Sequence, residues 1–248
     1  MRLERMRPLE VQQYFEQNTA VVIPVGSIEC HGTHNALGVD TLAVNKLADM
    51  IDEKSKVLIA TPIPYGACDT LSDYPGTISI GHELLYKLVS RITQELAKHG
   101  ARRFIFLNGH GGNTAALSQV CFDLHSEGRL GALINWWTMA WELNADWKGG
   151  HGGAQETSAM LAIDPTLVRM DLIEDEHLVN DIKGFETTGF STIAHKGINI
   201  YAPRSVAAFT HNGWIGTDHP KNATEKWGKE MLAACADYIC DFIETFDK

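Results

Sequence analysis

The sequence predicts an α/β fold, a mostly parallel sheet covered by helices on both faces. Three observations predict it. Short apolar runs alternate along the chain with longer stretches whose apolar residues recur at the helical period. The runs are apolar at consecutive positions, as strands are when both faces are buried. Glycine-rich turns carrying His and carboxylates follow two of these runs, where open α/β sheets place their ligand groups.

The elements follow in order. Residues 21–25, 57–60, 104–107 and 132–136 read as buried strands. Residues 41–52 read as a helix, with Asp40 available as its cap unless the carboxylate binds a metal. Residues 82–99 place Leu84, Leu85, Leu88, Val89, Ile92 and Leu96 close to the 3.6-residue period, and Gly100 ends that helix. Residues 114–125 and 223–246 complete the helices. The segment 175–215 is less regular and is expected to hold loops or a short hairpin. No low-complexity linker or charge block interrupts the chain, so residues 1–248 are read as one domain.

Composition narrows the function. Of 248 residues, 44% are hydrophobic, enough for a sizeable core. A formal charge of −10 disfavours a nucleic-acid partner, because phosphate binding needs a basic surface. No apolar stretch reaches the roughly 18 residues of a membrane span, and no membrane partner is expected. Residues 1–7 are charged and no apolar core follows, so no signal peptide is read. Five scattered cysteines suit a reduced, cytoplasmic protein. Cys235 and Cys240 fall in the last helix and are expected to pack in its core.

Three segments carry the chemistry. The first is Gly26-Ser27-Ile28-Glu29-Cys30-His31-Gly32-Thr33-His34, followed by Asp40. Glu29 and His31 are two apart, so in extended backbone they project from one face. Carboxylates and imidazoles converging at a strand end are typical ligands for zinc or similar divalent ions. The second is Asn108-Gly109-His110-Gly111-Gly112-Asn113, where His110 would point into the crevice at a strand's carboxyl end. It has neither the Lys-Ser/Thr of a P-loop nor the spacing of a dinucleotide fingerprint. The third runs from Trp147 through Gly150-His151-Gly152-Gly153 to Glu156. Its histidine suits a proton shuttle beside a metal. Trp136, Trp137, Trp141 and Trp147 crowd this region and could line a pocket or fill core.

Together these segments suggest a site of Glu29, His31, Asp40, His110 and Glu156. Three carboxylates and two imidazoles exceed what one catalytic zinc takes from a protein. They suit two ions about 3.5 Å apart, bridged most simply by Asp40 and a hydroxide that attacks a carbonyl carbon. His151 would deliver a proton to the leaving group. Mixed N/O ligation favours zinc and also suits manganese or iron.

These motifs resemble the creatininase (creatinine amidohydrolase) family. The match runs through Gly-Ser-x-Glu-x-His-Gly-x-His with Leu-Gly-x-Asp, then Tyr-Pro-Gly-Thr-Ile-Ser at 74–79. It continues through Asn-Gly-His-Gly-Gly-Asn at 108–113 and Gly-His-Gly-Gly-x-x-Glu-Thr-Ser at 150–158. The pairs Gly-Thr-Asp-His-Pro at 216–220 and Ala-Thr-Glu-Lys at 223–226 look like its closing motif. The resemblance implies a three-layer α/β/α fold, two divalent metal ions per chain, a small-molecule substrate and a homo-oligomer, commonly a hexamer. It implies hydrolysis of non-peptide C–N bonds, often in cyclic amides or formamides. By it, Glu29, Asp40 and His110 would hold one ion, and His31 and Asp40 the other. His151 would be the catalytic histidine, with Trp147 near the substrate.

The chain also departs from that pattern. In creatininase proper a Glu two residues after the third-motif His completes the second metal site; here that position is Gly112, and Glu156 is the expected substitute. Thr70-Leu71 stand where many members carry Glu-His, Tyr74 replaces a Phe, and Cys30 and Thr33 replace the usual Gln and Pro. These changes are expected around the pocket mouth, with Tyr74 facing substrate and His34 either facing it or supporting the metal ligands from behind, and they point away from creatinine itself. The leading expectation is a dinuclear amide or formamide hydrolase. The alternative is a C–C hydrolase opening an oxidised inositol ring, as for 3-dehydro-scyllo-inosose. A non-catalytic sugar- or metal-binding module is a third, disfavoured because every candidate ligand is kept.

Overall fold

A computed structural model describes residues 1–175, 181–182, 184–189, 191–216 and 218–247. Strands β1 (Ala20–Val25), β2 (Leu58–Ile59), β3 (Arg103–Asn108) and β4 (Leu130–Asn135) form a parallel sheet in the order β2-β1-β3-β4. Side-chain alternation then sends the consecutive apolar residues to two separate cores. Val21, Ile23, Val25, Phe104 and Phe106 pack on one face with helices α1 (Pro8–Phe15), α3 (Gly81–Lys98) and α4 (Thr114–Ser126). Ala20, Val22, Ile105 and Leu107 pack on the other with α2 (Val39–Lys54), α5 (Trp136–Leu143), α6 (Ala154–Ile163) and α7 (Glu225–Phe246). The result is the expected parallel sheet between two helical layers. Cys235 lies in the core under α7.

Boundaries moved for local reasons. The strand expected to reach residue 136 ends at Asn135, and Trp136 opens α5. The apolar run continues unbroken from strand into helix, so hydrophobicity could not mark the change. Asp40 does not cap α2. Gly38 stands at the cap, and Asp40 lies buried in the first turn, where a carboxylate is favoured by the helix dipole. Gly100 ends α3 at φ +124°, a backbone that side-chain-bearing residues rarely adopt.

The irregular segment holds more order than a hairpin. Strands β5 (Asp181–Ile182), β6 (Phe185–Gly189), β7 (Thr192–His195) and β8 (Ile198–Tyr201) make a second, antiparallel sheet in that order. Lys196 and Gly197 both have positive φ, the two-residue turn whose twist matches a hairpin. Its strands are short and largely exposed, which is why no clean alternation announced them. Residues 176–180, 183 and 190 of the segment, and Thr217 of the closing motif, lie outside the described residues.

The α6–α7 contact positions the site, because α6 carries Glu156. Gly228 of α7 sits so close that an added Cβ would lie 1.8 Å from the Ser158 carbonyl oxygen. Gly228→Ala must therefore push the two helices apart. It is expected to cost about 1–3 kcal/mol and to lower Tm by roughly 2–4 °C per kcal/mol, measured by calorimetry. An unchanged Tm would show that this contact does not set the spacing.

Candidate metal centre

The carboxyl end of the parallel sheet gathers the three sequence segments. After β1 the chain turns through Gly26 to Glu29 and His31; after β3 it turns through Gly109 to His110. At Gly109 an added Cβ would meet the Asp40 carbonyl oxygen at 2.2 Å, so the missing side chain brings α2 against the β3 turn. Asn113 ties the turns together: it donates to the Gly26 carbonyl at 3.0 Å and accepts from the Ala67 N–H at 2.9 Å. The Gly150–Gly153 turn then lays His151 and Glu156 over them.

Glu29, His31, Asp40, His110 and Glu156 come together, all of them buried. His110 Nδ1 lies 3.0 Å from Glu29 Oε1 and 3.3 Å from Asp40 Oδ2. His31 Nε2 lies 3.1 Å from Asp40 Oδ1 and 3.6 Å from Glu156 Oε2. Two triads result, Glu29–Asp40–His110 and His31–Asp40–Glu156, each with its ligand atoms within 4.8 Å of one another. Asp40 belongs to both, one oxygen toward each. Glu29, His31 and His151 form a third such group.

The spacing and the unmet polar atoms fit divalent cations. Two donors each about 2.1 Å from one tetrahedral ion stand about 3.4 Å apart, close to the separations above. Glu29 Oε1, His31 Nε2 and Asp40 Oδ2 are buried and make no hydrogen bond, an expensive arrangement unless something else satisfies them. The other His31 nitrogen, Nδ1, is 3.2 Å from the Glu29 carbonyl oxygen, which can only accept. This fixes the tautomer that leaves Nε2 as a donor atom for a metal. His110 Nε2 is held the same way by the Ala67 carbonyl at 3.1 Å.

The electrostatics agree. Burial pulls the His31 imidazole down, but Asp40, Glu156 and Glu29 overcome it and push its pKa up to about 10. His110 is likewise raised well above its ordinary value, against burial, chiefly by Glu29 and Asp40. Burial opposes ionisation of Asp40, yet His31 and His110 hold its carboxyl well below the usual range. Burial raises Glu156 to about 7. Each carboxylate here demands positive charge, and no Lys or Arg supplies it among the described neighbours. His151 differs: burial, then His31, push its pKa down to about 3, so its imidazole is neutral. Its Nε2 lies 2.8 Å from the Cys30 carbonyl oxygen and so carries the hydrogen, while Nδ1 is 3.7 Å from Glu29 Oε1.

A cavity of about 630 Å³ opens over the cluster, with Asp40, His110, His151 and Glu156 on its wall. Several sequence expectations land elsewhere. His34 does not line the cavity: it is buried, its Nε2 3.1 Å from Thr157 Oγ1, and burial followed by His31 lowers its pKa to about 4. Tyr74 turns its hydroxyl to the Thr210 carbonyl at 2.6 Å. Trp147 packs beside the α2–α7 core. Cys30 and Thr33 are not at the mouth; Thr33 donates to the Leu172 carbonyl, and Cys30 contributes its own carbonyl to His151. Thr70 and Leu71 do line the cavity, as expected of residues at its mouth.

The walls missed by the sequence reading are Gln155, His82, Ser191 and Tyr201. Of the four crowded tryptophans, Trp136 goes to the core and Trp137 and Trp141 to the cavity. Their i,i+4 spacing puts both on one helix face, a signal available only once residues 136–143 are known to be helical. Gly112 also has a reason: an added Cβ would lie 2.1 Å from the Ala67 carbonyl oxygen. A ligand side chain has no room there, and Glu156 approaches from the opposite segment.

A family model described as creatininase, creatinine amidohydrolase, matches residues 4–243. The chain belongs to the creatininase family. Creatininase relatives include a mycofactocin precursor peptide peptidase of Mycolicibacterium smegmatis, 31% identical over 229 residues, covering 88% of this chain and 83% of that protein. A 3-dehydro-scyllo-inosose hydrolase of Thermotoga maritima is 25% identical over 271 residues, covering 98% and 84%. A solved structure titled as manganese creatininase superposes with a TM-score of 0.77 at 24% identity, covering 100% of this chain and 99% of that one. This creatininase-family chain is accordingly a hydrolase on an α/β fold, with buried His, Asp and Glu groups that could hold a metal. Among the described residues no helix is long and apolar enough to cross a membrane.

Proposed function

We propose that this chain is a dinuclear-metal amide hydrolase that cleaves a C–N bond of a small polar carbonyl compound. The observation that carries it is the sharing of Asp40 by the two buried triads. Glu29, Asp40 and His110 would hold one ion, and His31, Asp40 and Glu156 the other, with zinc or manganese suited to the donor set. When bound, such a pair supplies an acidified water and polarises the carbonyl. The chain's own residues do the rest. The Gly152 N–H donates to Glu156 Oε2 at 2.7 Å and Ser27 Oγ to Glu29 Oε2 at 3.3 Å, which fixes both carboxylates. His151, neutral and aimed by the Cys30 carbonyl, takes a proton at Nδ1 and returns it to the departing nitrogen.

An amide substrate is favoured over a ring ketone by the family model's description as an amidohydrolase; His151 would protonate a departing amine as readily as a departing carbanion. The relative named as a precursor-peptide peptidase supports C–N cleavage and extends the class from cyclic amides and formamides to short peptides. A cavity of about 630 Å³ has room for such substrates. A cytoplasmic homo-oligomer, hexameric by family likeness, is part of the same reading.

The test joins metal analysis to a substrate panel. Purified protein is expected to carry close to two divalent ions per chain, to lose turnover on chelation and to regain it when zinc or manganese is restored. Amine, ammonia or formate should be released from some member of a panel of cyclic amides, formamides and dipeptides. Ring opening of an oxidised inositol without amine release would replace C–N by C–C hydrolysis. A folded, active protein without metal would overturn the reading altogether.

A further inference from the structure

The cavity wall beside Glu156 carries Gln155, Trp137 and Trp141. Apart from Asp40 and Glu156, no Asp, Glu, Lys or Arg lines it among the described residues. Gln155, the neighbour of Glu156 in α6, is 1% exposed and spends its amide on two tryptophans. Its Oε1 accepts from Trp141 Nε1 at 2.7 Å, and its Nε2 donates to the Trp137 carbonyl at 3.1 Å. A buried amide with both ends engaged has little left to offer a ligand; its effect is to fix what it holds. The Trp141 ring is held a second time, by the Lys148 ammonium 5.8 Å from its centroid, and Lys148 does not line the cavity. Trp141 is therefore a pinned aromatic wall, tied to Gln155, the residue directly before a candidate metal ligand.

We propose that Trp141, positioned by Gln155, sets substrate specificity by stacking against an uncharged aromatic group borne next to the reacting carbonyl. This inference rests on the metal centre proposed above, and it narrows the substrate to amides with an aromatic flank. A pinned ring whose N–H is already engaged offers the cavity apolar surface rather than a donor, and aromatic contact with it favours flat, uncharged partners. Trp141 is the specificity-determining residue; Gln155 acts through it.

Two hydroxamates separate this from the metal reading. Acetohydroxamate and benzohydroxamate chelate a divalent ion through the same two oxygens and differ in a methyl against a phenyl group. Binding to the zinc-loaded full chain is measured by titration calorimetry. The wild type is expected to bind benzohydroxamate on the order of tenfold tighter. Trp141→Leu should bring the two affinities to within about twofold of each other, the larger loss falling on benzohydroxamate. Gln155→Met, which keeps the volume and loses the acceptor, should lower the preference by about threefold; it carries the test if Trp141→Leu fails to fold. No preference in the wild type, or one that keeps its wild-type size in Trp141→Leu or in Gln155→Met, would overturn the assignment of Trp141. Failure of acetohydroxamate itself to bind would overturn the metal centre, and this inference with it.

Discussion

Asp40→Asn is expected to reduce bound metal from near two ions per chain to one or none, and to cut hydrolysis by about a thousandfold or more. The reason is its place in both triads, with Oδ1 3.1 Å from His31 Nε2 and Oδ2 3.3 Å from His110 Nδ1. Asn keeps the shape but offers one neutral oxygen and an NH₂ group that cannot ligate. One triad loses a donor outright, and the pair loses a negative charge that two cations would share. Glu156→Gln is the informative contrast. Glu156 belongs to one triad only, so that variant should keep the ion held with Glu29 and His110. Metal content by mass spectrometry, beside a thermal melt to show folding, distinguishes them. Two ions and full turnover in Asp40→Asn would remove the bridge; full occupancy in Glu156→Gln would remove Glu156 as a ligand.

His151→Ala should behave in the opposite way, keeping metal close to two ions per chain while turnover falls by about 10²- to 10⁴-fold. Its Nε2 is engaged by the Cys30 carbonyl, and its Nδ1 stands 3.7 Å from Glu29 Oε1 at the cavity wall. That is the position of a proton carrier beside the reacting atoms. His151 also groups with Glu29 and His31 within ligand distance, which makes metal content the deciding measurement. Loss of one ion with turnover would recast His151 as a ligand. Turnover unchanged, on the substrate found by the amide panel, would remove it from the reaction.

Much of the centre was legible in the chain before folding. Glu29 and His31, two apart after an apolar strand, share a face by local geometry alone, and in the folded chain they stand 3.8 Å apart. His110 follows another apolar strand through glycines, and the β3 strand end brings it to the same place. Asp40 was ambiguous between a helix cap and a ligand. Its burial in the first turn of α2, between two histidines, is what separates those readings.

Other residues could not be placed from their neighbours in sequence. His34 belongs to the same motif as His31, yet faces Thr157 of α6, more than a hundred residues away. Tyr74 and Trp147 were placed by likeness of motif, and the packing of Thr210 and of the α2–α7 core turned them elsewhere. The segment of the β5–β8 sheet was read only as loops or a short hairpin, because short, exposed strands carry little apolar periodicity, although Ser191 and Tyr201 bring that region to the cavity.

The alternation of strand and helix, the strand ends that carry Glu29, His31 and His110, and the family can all be read along the chain. All of these are properties of single segments, set by side-chain periodicity and short spacings. Asp40 as a shared ligand and Glu156 in place of Gly112 were suggested by the chain; the placing of Asp40 in two triads, the lack of room at Gly112, and Trp137 and Trp141 rather than Trp147 on the cavity wall come from packing in three dimensions. Those outcomes depend on how α2, α5 and α6 cross the sheet's carboxyl end. Crossing is fixed by close backbone contacts such as Gly109 on Asp40 and Gly228 on Ser158, between segments whose separation along the chain carries no trace of their distance in space.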